Sequence, residues 1–232
     1  MVLDVDLFYH FGDPSLQQQQ LLRLRNVDPF VHVQNLLQES GLAVYDPLGN
    51  VEAAFEKLSL RPTFVTSLRD VRSESLVLIG EATVWDRRLI ASINELAAEG
   101  KWVIVLRADT DSKFPMNLSG GGHRLSFSHL SQSDWSPKKL DTAFWPKHHE
   151  AAPGLQLFVE KNELFISPQI GPQVWQLAEY HLKEHRGGLL FIGVPVIHRW
   201  NASPVPRVLL SHALVHARKL ASAGESSLNI KE

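Results

Sequence analysis

The hydrophobic and polar positions of this chain fall into two kinds of period. Val2 to Phe11 alternates apolar and acidic residues and ends at Gly12-Asp13-Pro14, which is how a strand entering a loop reads. Ser15 to Asn26 follows, with Gln17 to Gln20 in a row and then Leu21, Leu22 and Leu24 between arginines; this stretch reads as a short helix or an ordered loop insertion. Asp28-Pro29 offers a cap and a proline for the first helical position. Phe30, Val33, Leu36 and Leu37 then recur at helical spacing until Gly41. Beyond it the pattern predicts a strand over 42–45, a short helix over 51–58 and a strand over 63–68.

The clearest unit runs from Ser75 to Ala108. Leu76-Val77-Leu78-Ile79 is an unbroken apolar run of the sort that a strand buried on both faces requires. Asp86 caps a helix carrying Leu89, Ile90, Ile93, Leu96 and Ala97, Gly100 closes it, and Trp102 to Leu106 is a second buried strand. Strand, helix and strand in this order make a βαβ crossover. Residues 109–154 are loop-rich, with a strand expected at 124–129. Leu155 to Val159 and Glu163 to Ile166 flank Lys161-Asn162 as a hairpin. Gly171-Pro172 is expected to open a helix running to Arg186, Leu189 to Val194 to form a strand, and Pro206 to Ala221 to form the last helix, with a polar, frayed tail over 224–232. No internal repeat or linker divides the chain, so one α/β domain over 1–223 is expected. Its form is three-layered, with a mainly parallel sheet, helices on both faces and an antiparallel hairpin addition.

Composition narrows the function. The 232 residues carry 23 Lys+Arg against 25 Asp+Glu, a formal charge of −2, so no broad surface for nucleic acid or anionic membranes is expected. There is no cysteine, which removes disulfides, thiolate metal sites and any cysteine nucleophile. No apolar run is long enough to span a bilayer. The start at Met1 lacks a signal peptide's basic region and cleavage site, and the expectation is a cytoplasmic protein.

The segments SLVLIGEATVWDRRLIASINELAAEGKWVIVLRAD and GLLFIGVPVIHRW, followed by PRVLLSHALVHA, resemble the class I glutamine amidotransferase-like fold, in particular its ThuA-like and related non-catalytic branches. In the catalytic members of that fold, the strand after the helix delivers a cysteine at a sharp elbow, and a later histidine and carboxylate complete a triad. Here the matching strand ends in Arg107-Ala108-Asp109-Thr110, and neither Ala108 nor Asp109 can replace a thiolate. The resemblance therefore implies the fold without the glutaminase chemistry. No G-x-S-x-G elbow supplies a serine version, and no catalytic residue is carried over.

Several constellations have simpler readings. His181-Leu182-Lys183-Glu184-His185 spells an inverted zinc-protease signature, and on a helix its two histidines would share a face. The only later glutamates are Glu225 and Glu232, so the pair reads as ordinary helix-end histidines and no metal is expected. His212 and His216 repeat the spacing on the last helix and read as core-rim residues, while Lys147-His148-His149-Glu150 reads as a solvated turn. Ser119-Gly120-Gly121-Gly122-His123 lacks the ending of a phosphate loop, and no cofactor fingerprint exists. The six tryptophans read as packing residues.

One positional argument remains. In open α/β sheets, ligands sit beyond the carboxyl ends of the strands, where the strand order reverses. The loops leaving those ends hold His10 and Asp13, Glu81, and Arg107 and Asp109, with His123 in the glycine-rich loop nearby. These six residues are the candidate ligand-binding set, suited to a small polar molecule. Two functions are expected from them. One is a non-catalytic domain acting in binding or assembly, with a protein partner or a small polar molecule. The other is a hydrolase using the carboxylates and histidine as general acid and base.

Overall fold

The computed structural model describes residues 2–10, 17–25, 33, 41–56, 60–116, 121–125, 153–171, 174–182, 187–201 and 205–226; of residues 2–10, 17–25 and 121–125 it describes the backbone course. In chain order the strands are β1 (Val2–His10), β2 (Gln17–Arg25), β3 (Leu42–Tyr45), β4 (Thr63–Val65), β5 (Leu76–Ile79), β6 (Trp102–Leu106), β7 (Phe114–Met116), β8 (Gly121–Leu125), β9 (Pro153–Glu160), β10 (Glu163–Ile170), β11 (Leu177–His181) and β12 (Gly188–Ile192). The helices are α1 (Asn50–Glu56), α2 (Arg87–Ala98) and α3 (Val205–Ser226).

The central sheet has seven strands in the order β4-β3-β5-β6-β12-β11-β8. Its first five members pair in parallel, while β11 runs antiparallel to both β12 and β8. From β3 the chain steps outward to β4 and then back across to β5, so the strand order reverses between β3 and β5. A run such as Leu76–Ile79 is apolar throughout because both of its faces are covered. Leu42, Val44, Leu76, Leu78, Trp102, Ile104, Leu190 and Ile192 point to one face, against Val51 and Phe55 of α1 and Leu210 and Leu214 of α3. Ala43, Val77, Ile79, Val103, Val105 and Phe191 point to the other, against Ile90, Ile93 and Leu96 of α2. The expected three-layer α/β architecture is what the chain adopts.

The hairpin of β9 and β10 forms where its alternation placed it, longer than expected and joined by β7 in a separate three-stranded sheet. Lys161 and Asn162 take φ values of 52° and 69°, the left-handed pair that a tight two-residue hairpin turn demands. This small sheet seats on the α2 side of the central one through edge-to-face contacts among Trp85, Phe114 of β7 and Phe191 of β12, with ring centroids 5.1–5.8 Å apart. Asp86 caps α2 as expected, its Oδ1 accepting from the N–H groups of Arg88 and Leu89.

Four expectations fail. Gln17–Arg25 is a strand, β2, paired antiparallel with β1 over nine residues from Val2↔Arg25 to His10↔Gln17. Its leucines have no helical period, and the alternating strand before it offers a ready template. The helix expected between Gly171 and Arg186 is replaced by β11, where Leu177 and Glu179 face α3 and Ala178 and Tyr180 face the opposite side. His181 is therefore a strand residue, while His185 lies outside the described residues. The last helix continues past the expected end at Ala221 to Ser226. The strand expected at 124–129 lies earlier, as β8. The expected helix before Gly41 falls outside the described residues except for Val33, which is helical and buried.

Candidate functional site

The carboxyl ends of β3, β5, β6 and β12 open onto one cleft of about 630 Å3, lined among others by Asn50, Glu81, Arg107, Asp109, His198 and Trp200. It lies beside the reversal of strand order, the position at which open parallel sheets expose the fewest covering loops. Three of the six expected residues, Glu81, Arg107 and Asp109, meet there. His10 ends β1 in the separate β1–β2 sheet, and His123 lies on the edge strand β8 opposite Glu179 of β11. Asp13 lies outside the described residues.

The floor of the cleft is set by the turn after β5. Gly80 donates its N–H to the Tyr45 carbonyl, and its missing side chain leaves room for Asp46: a Cβ here would stand 2.6 Å from Asp46 Oδ1. Asp46 in turn caps α1, with Oδ2 accepting from the N–H groups of Val51 at 2.7 Å and Glu52 at 3.1 Å. Ala82 sits at φ 62°, a left-handed conformation unusual for a residue with a Cβ, and its N–H donates to the Arg107 carbonyl at 2.8 Å. That bond ties the β5 loop to the end of β6. Thr83 closes the turn by donating its hydroxyl to the Gly80 carbonyl.

Glu81 is buried at 7% exposure and does not reach out to solvent. Its Oε2 accepts from the N–H of Ile197 at 2.5 Å and its Oε1, at the longer distance of 3.4 Å, from the N–H of His198. The carboxylate thereby pins the loop after β12 to the loop after β5. Burial pushes the Glu81 carboxyl up from its ordinary value, while the two N–H donors and the charges of His198 and Arg107 pull the other way. Phe55 of α1 packs its ring 6.2 Å from that of Trp200, anchoring the same loop from the other side.

Asp109 is exposed, and its Oδ1 accepts from the N–H of Thr110 at 2.6 Å and, more loosely, from the Thr110 hydroxyl. Arg107 is half-buried and Arg199 exposed, and neither forms an ion pair among the described residues. Pro153 and Ile170, register partners at the open end of the β9–β10 hairpin, supply an apolar wall; Ile170 is 61% exposed. The loop 195–201 was invisible as a site in the sequence. It contributes backbone N–H groups and an anchoring ring, neither of which leaves a residue signature, and the side chains of His198 and Arg199, which the strand-end argument did not reach.

A second cluster, also missed, lies away from the cleft. Glu179 of β11 is buried at 4% exposure between two histidines, His181 on its own strand and His216 on α3, each with Nε2 2.5 Å from a carboxylate oxygen. An ionised carboxylate only accepts, so both imidazoles carry a proton on Nε2. Burial alone would raise the Glu179 carboxyl, but the hydrogen bonds and charges of His181 and His216 hold it down at about 2. No group of three or more side chains among the described residues is arranged to hold a metal ion. No described helix is long and apolar enough to cross a membrane.

No family model matches the sequence, and no curated protein does. Among solved structures, the chain is similar to a protein from Bacteroides uniformis ATCC 8492 described as ThuA-like. The two share 10% identity and a TM-score of 0.36, with 78% of this chain and 91% of the other covered.

Proposed function

We propose that this chain is a non-catalytic binding domain whose ligand, a small polar molecule, occupies the cleft at the carboxyl ends of β3, β5, β6 and β12. The observation that carries this reading is the commitment of Glu81. Its carboxylate, the most deeply placed acid in the cleft, is spent on the N–H groups of Ile197 and His198, holding the walls in position rather than pointing at a substrate. Asp109 likewise engages its neighbour Thr110. A general acid or base needs a lone pair or proton directed at the reacting atom, and Glu81, the deep acid of the cleft, has both oxygens turned to backbone N–H groups. The absence of cysteine from the sequence adds that the thiolate route of the amidotransferase fold is closed. A cleft of this size suits a small ligand, with polar groups converging over an apolar wall.

The test is a backbone NMR titration of the pure chain with a mixed panel of sugars and organic acids, alongside assays for glutamine and ester hydrolysis. The expected result is shifts confined to residues 46–50, 80–86, 107–110 and 193–201, with no product formed. Glutamate released from glutamine, or shifts that map to another face, overturns the reading.

A further inference from the structure

We infer that the ligand of this cleft is a small organic anion, with a carboxylate or phosphate group held by Arg107 and Arg199 and an apolar body lying against Pro153 and Ile170. The inference rests on the cleft being the binding site, and it follows from an imbalance in what the charged groups there have left to offer. Both acids of the cleft are engaged within the protein, Glu81 through both oxygens with two backbone N–H groups and Asp109 through Oδ1 alone with Thr110. The two arginines are not: neither has an ion-pair partner among the described residues, although both line the cleft. Asp109 could in principle neutralise a cation beside it, yet no salt bridge joins it to either guanidinium. The charge of Arg107 acts on Glu81 from a distance, but the cleft presents two guanidinium groups with no ion pair among the described residues.

Arginine is suited to this task because its planar fork matches the two oxygens of a carboxylate or phosphate, and it holds its charge at every relevant pH. Arg107 is half-buried in the wall of the cleft, where a charge-assisted hydrogen bond gains strength from partial exclusion of water. The exposed side chain of Ile170, beside the buried Pro153 in the cleft lining, gives the ligand an apolar surface that an inorganic ion would leave unused. A molecule with an acid at one end and hydrocarbon at the other fits both halves.

The test is isothermal titration of the full chain with matched pairs: phenylacetate against phenylacetamide, and glucose 6-phosphate against glucose, with inorganic phosphate as the bodiless anion. Saturable binding of the anions is expected, about tenfold or more tighter than their neutral counterparts. Arg107→Gln and Arg199→Gln should each lose that preference, whereas Arg69→Gln, away from the cleft, should keep it. The carboxylate and phosphate arms report which anion the arginines favour, and weak binding of inorganic phosphate shows the share of the apolar wall. Equal binding of charged and neutral partners overturns the anion inference and leaves the binding reading standing. Anion binding that survives both cleft substitutions overturns the assignment to these arginines. Failure of every probe to bind overturns the binding reading itself.

Discussion

Glu179 and His216 are joined across the interface between the central sheet and the last helix, the imidazole Nε2 donating to the carboxylate Oε2 at 2.5 Å. With His181 on the other oxygen, the buried acid has a partner on each side, which is the condition under which a charge can be kept out of water. Glu179→Ala removes two charge-assisted hydrogen bonds and leaves a gap under α3, for an expected loss of about 2–3 kcal/mol. A urea denaturation curve whose midpoint does not fall would contradict this.

Two of the buried glutamates, Glu179 and Glu81, should shape the pH profile of stability in opposite senses. Glu179 is held at about 2 against an ordinary value of 4.5, so between those values the unfolded chain binds more protons, and stability drains away as the pH falls through that window. Glu81 is raised, so above 4.5 the native chain keeps a proton that the unfolded chain has released, and stability declines as the pH rises through its elevated value. Melting temperature measured against pH in Glu179→Ala should show a shallower acid limb, the lowered carboxyls of Glu74 and Glu160 keeping part of it, and in Glu81→Gln a weaker decline on the upper side.

Glu81→Ala strands the N–H groups of Ile197 and His198. The expected cost is about 1–3 kcal/mol, felt first by the loop after β12. Hydrogen exchange at those two amides should accelerate well before exchange in β5 and β6 changes. Uniform acceleration throughout the sheet would mean that the carboxylate supports the whole fold and not the loop.

Gly80→Ala places a Cβ 2.6 Å from Asp46 Oδ1, so the aspartate must give up its cap on α1 or the turn must move. A loss of roughly 1–3 kcal/mol is expected. Pairing the substitution with Asp46→Ala tests the cause: in that background most of the penalty should vanish, and full additivity of the two would count against the clash.

Ala82 at φ 62° carries a conformational cost of roughly 1–2 kcal/mol that glycine would not. Ala82→Gly should therefore be neutral or stabilising by up to about 1 kcal/mol, and Ala82→Val clearly destabilising. Thermal melts of the pair decide it; a destabilised glycine variant would show that the Ala82 methyl matters more than its backbone.

Where a segment's period is set by burial on one or both faces, the sequence and the structure agree. Leu76–Ile79 and Trp102–Leu106 read as doubly buried strands because every residue in them is buried, and Asp86 and Gly100 mark the limits of the helix between them. Glu81, Arg107 and Asp109 were legible for the same reason: once two parallel strands are placed, the residues leaving their ends are placed too. The failures come from polar residues inside. In Leu177–His181 the buried Glu179 breaks the apolar run that would mark an interior strand, and Val174, Ala178, His181 and His185 can be fitted to a helical wheel instead. What makes Glu179 tolerable at that position is His216, 37 residues away, a partnership that no local pattern encodes.

Strands β6 and β12 are hydrogen-bonded neighbours, yet residues 107–187 lie between them in the chain. Loop closure of that length must be met before the register Trp102↔Gly188 can form, whereas β3, β4, β5 and β6 are joined by short connections. The topology thus predicts that pairing among β3, β4, β5 and β6 precedes the arrival of β12, and with it the loop that completes the cleft.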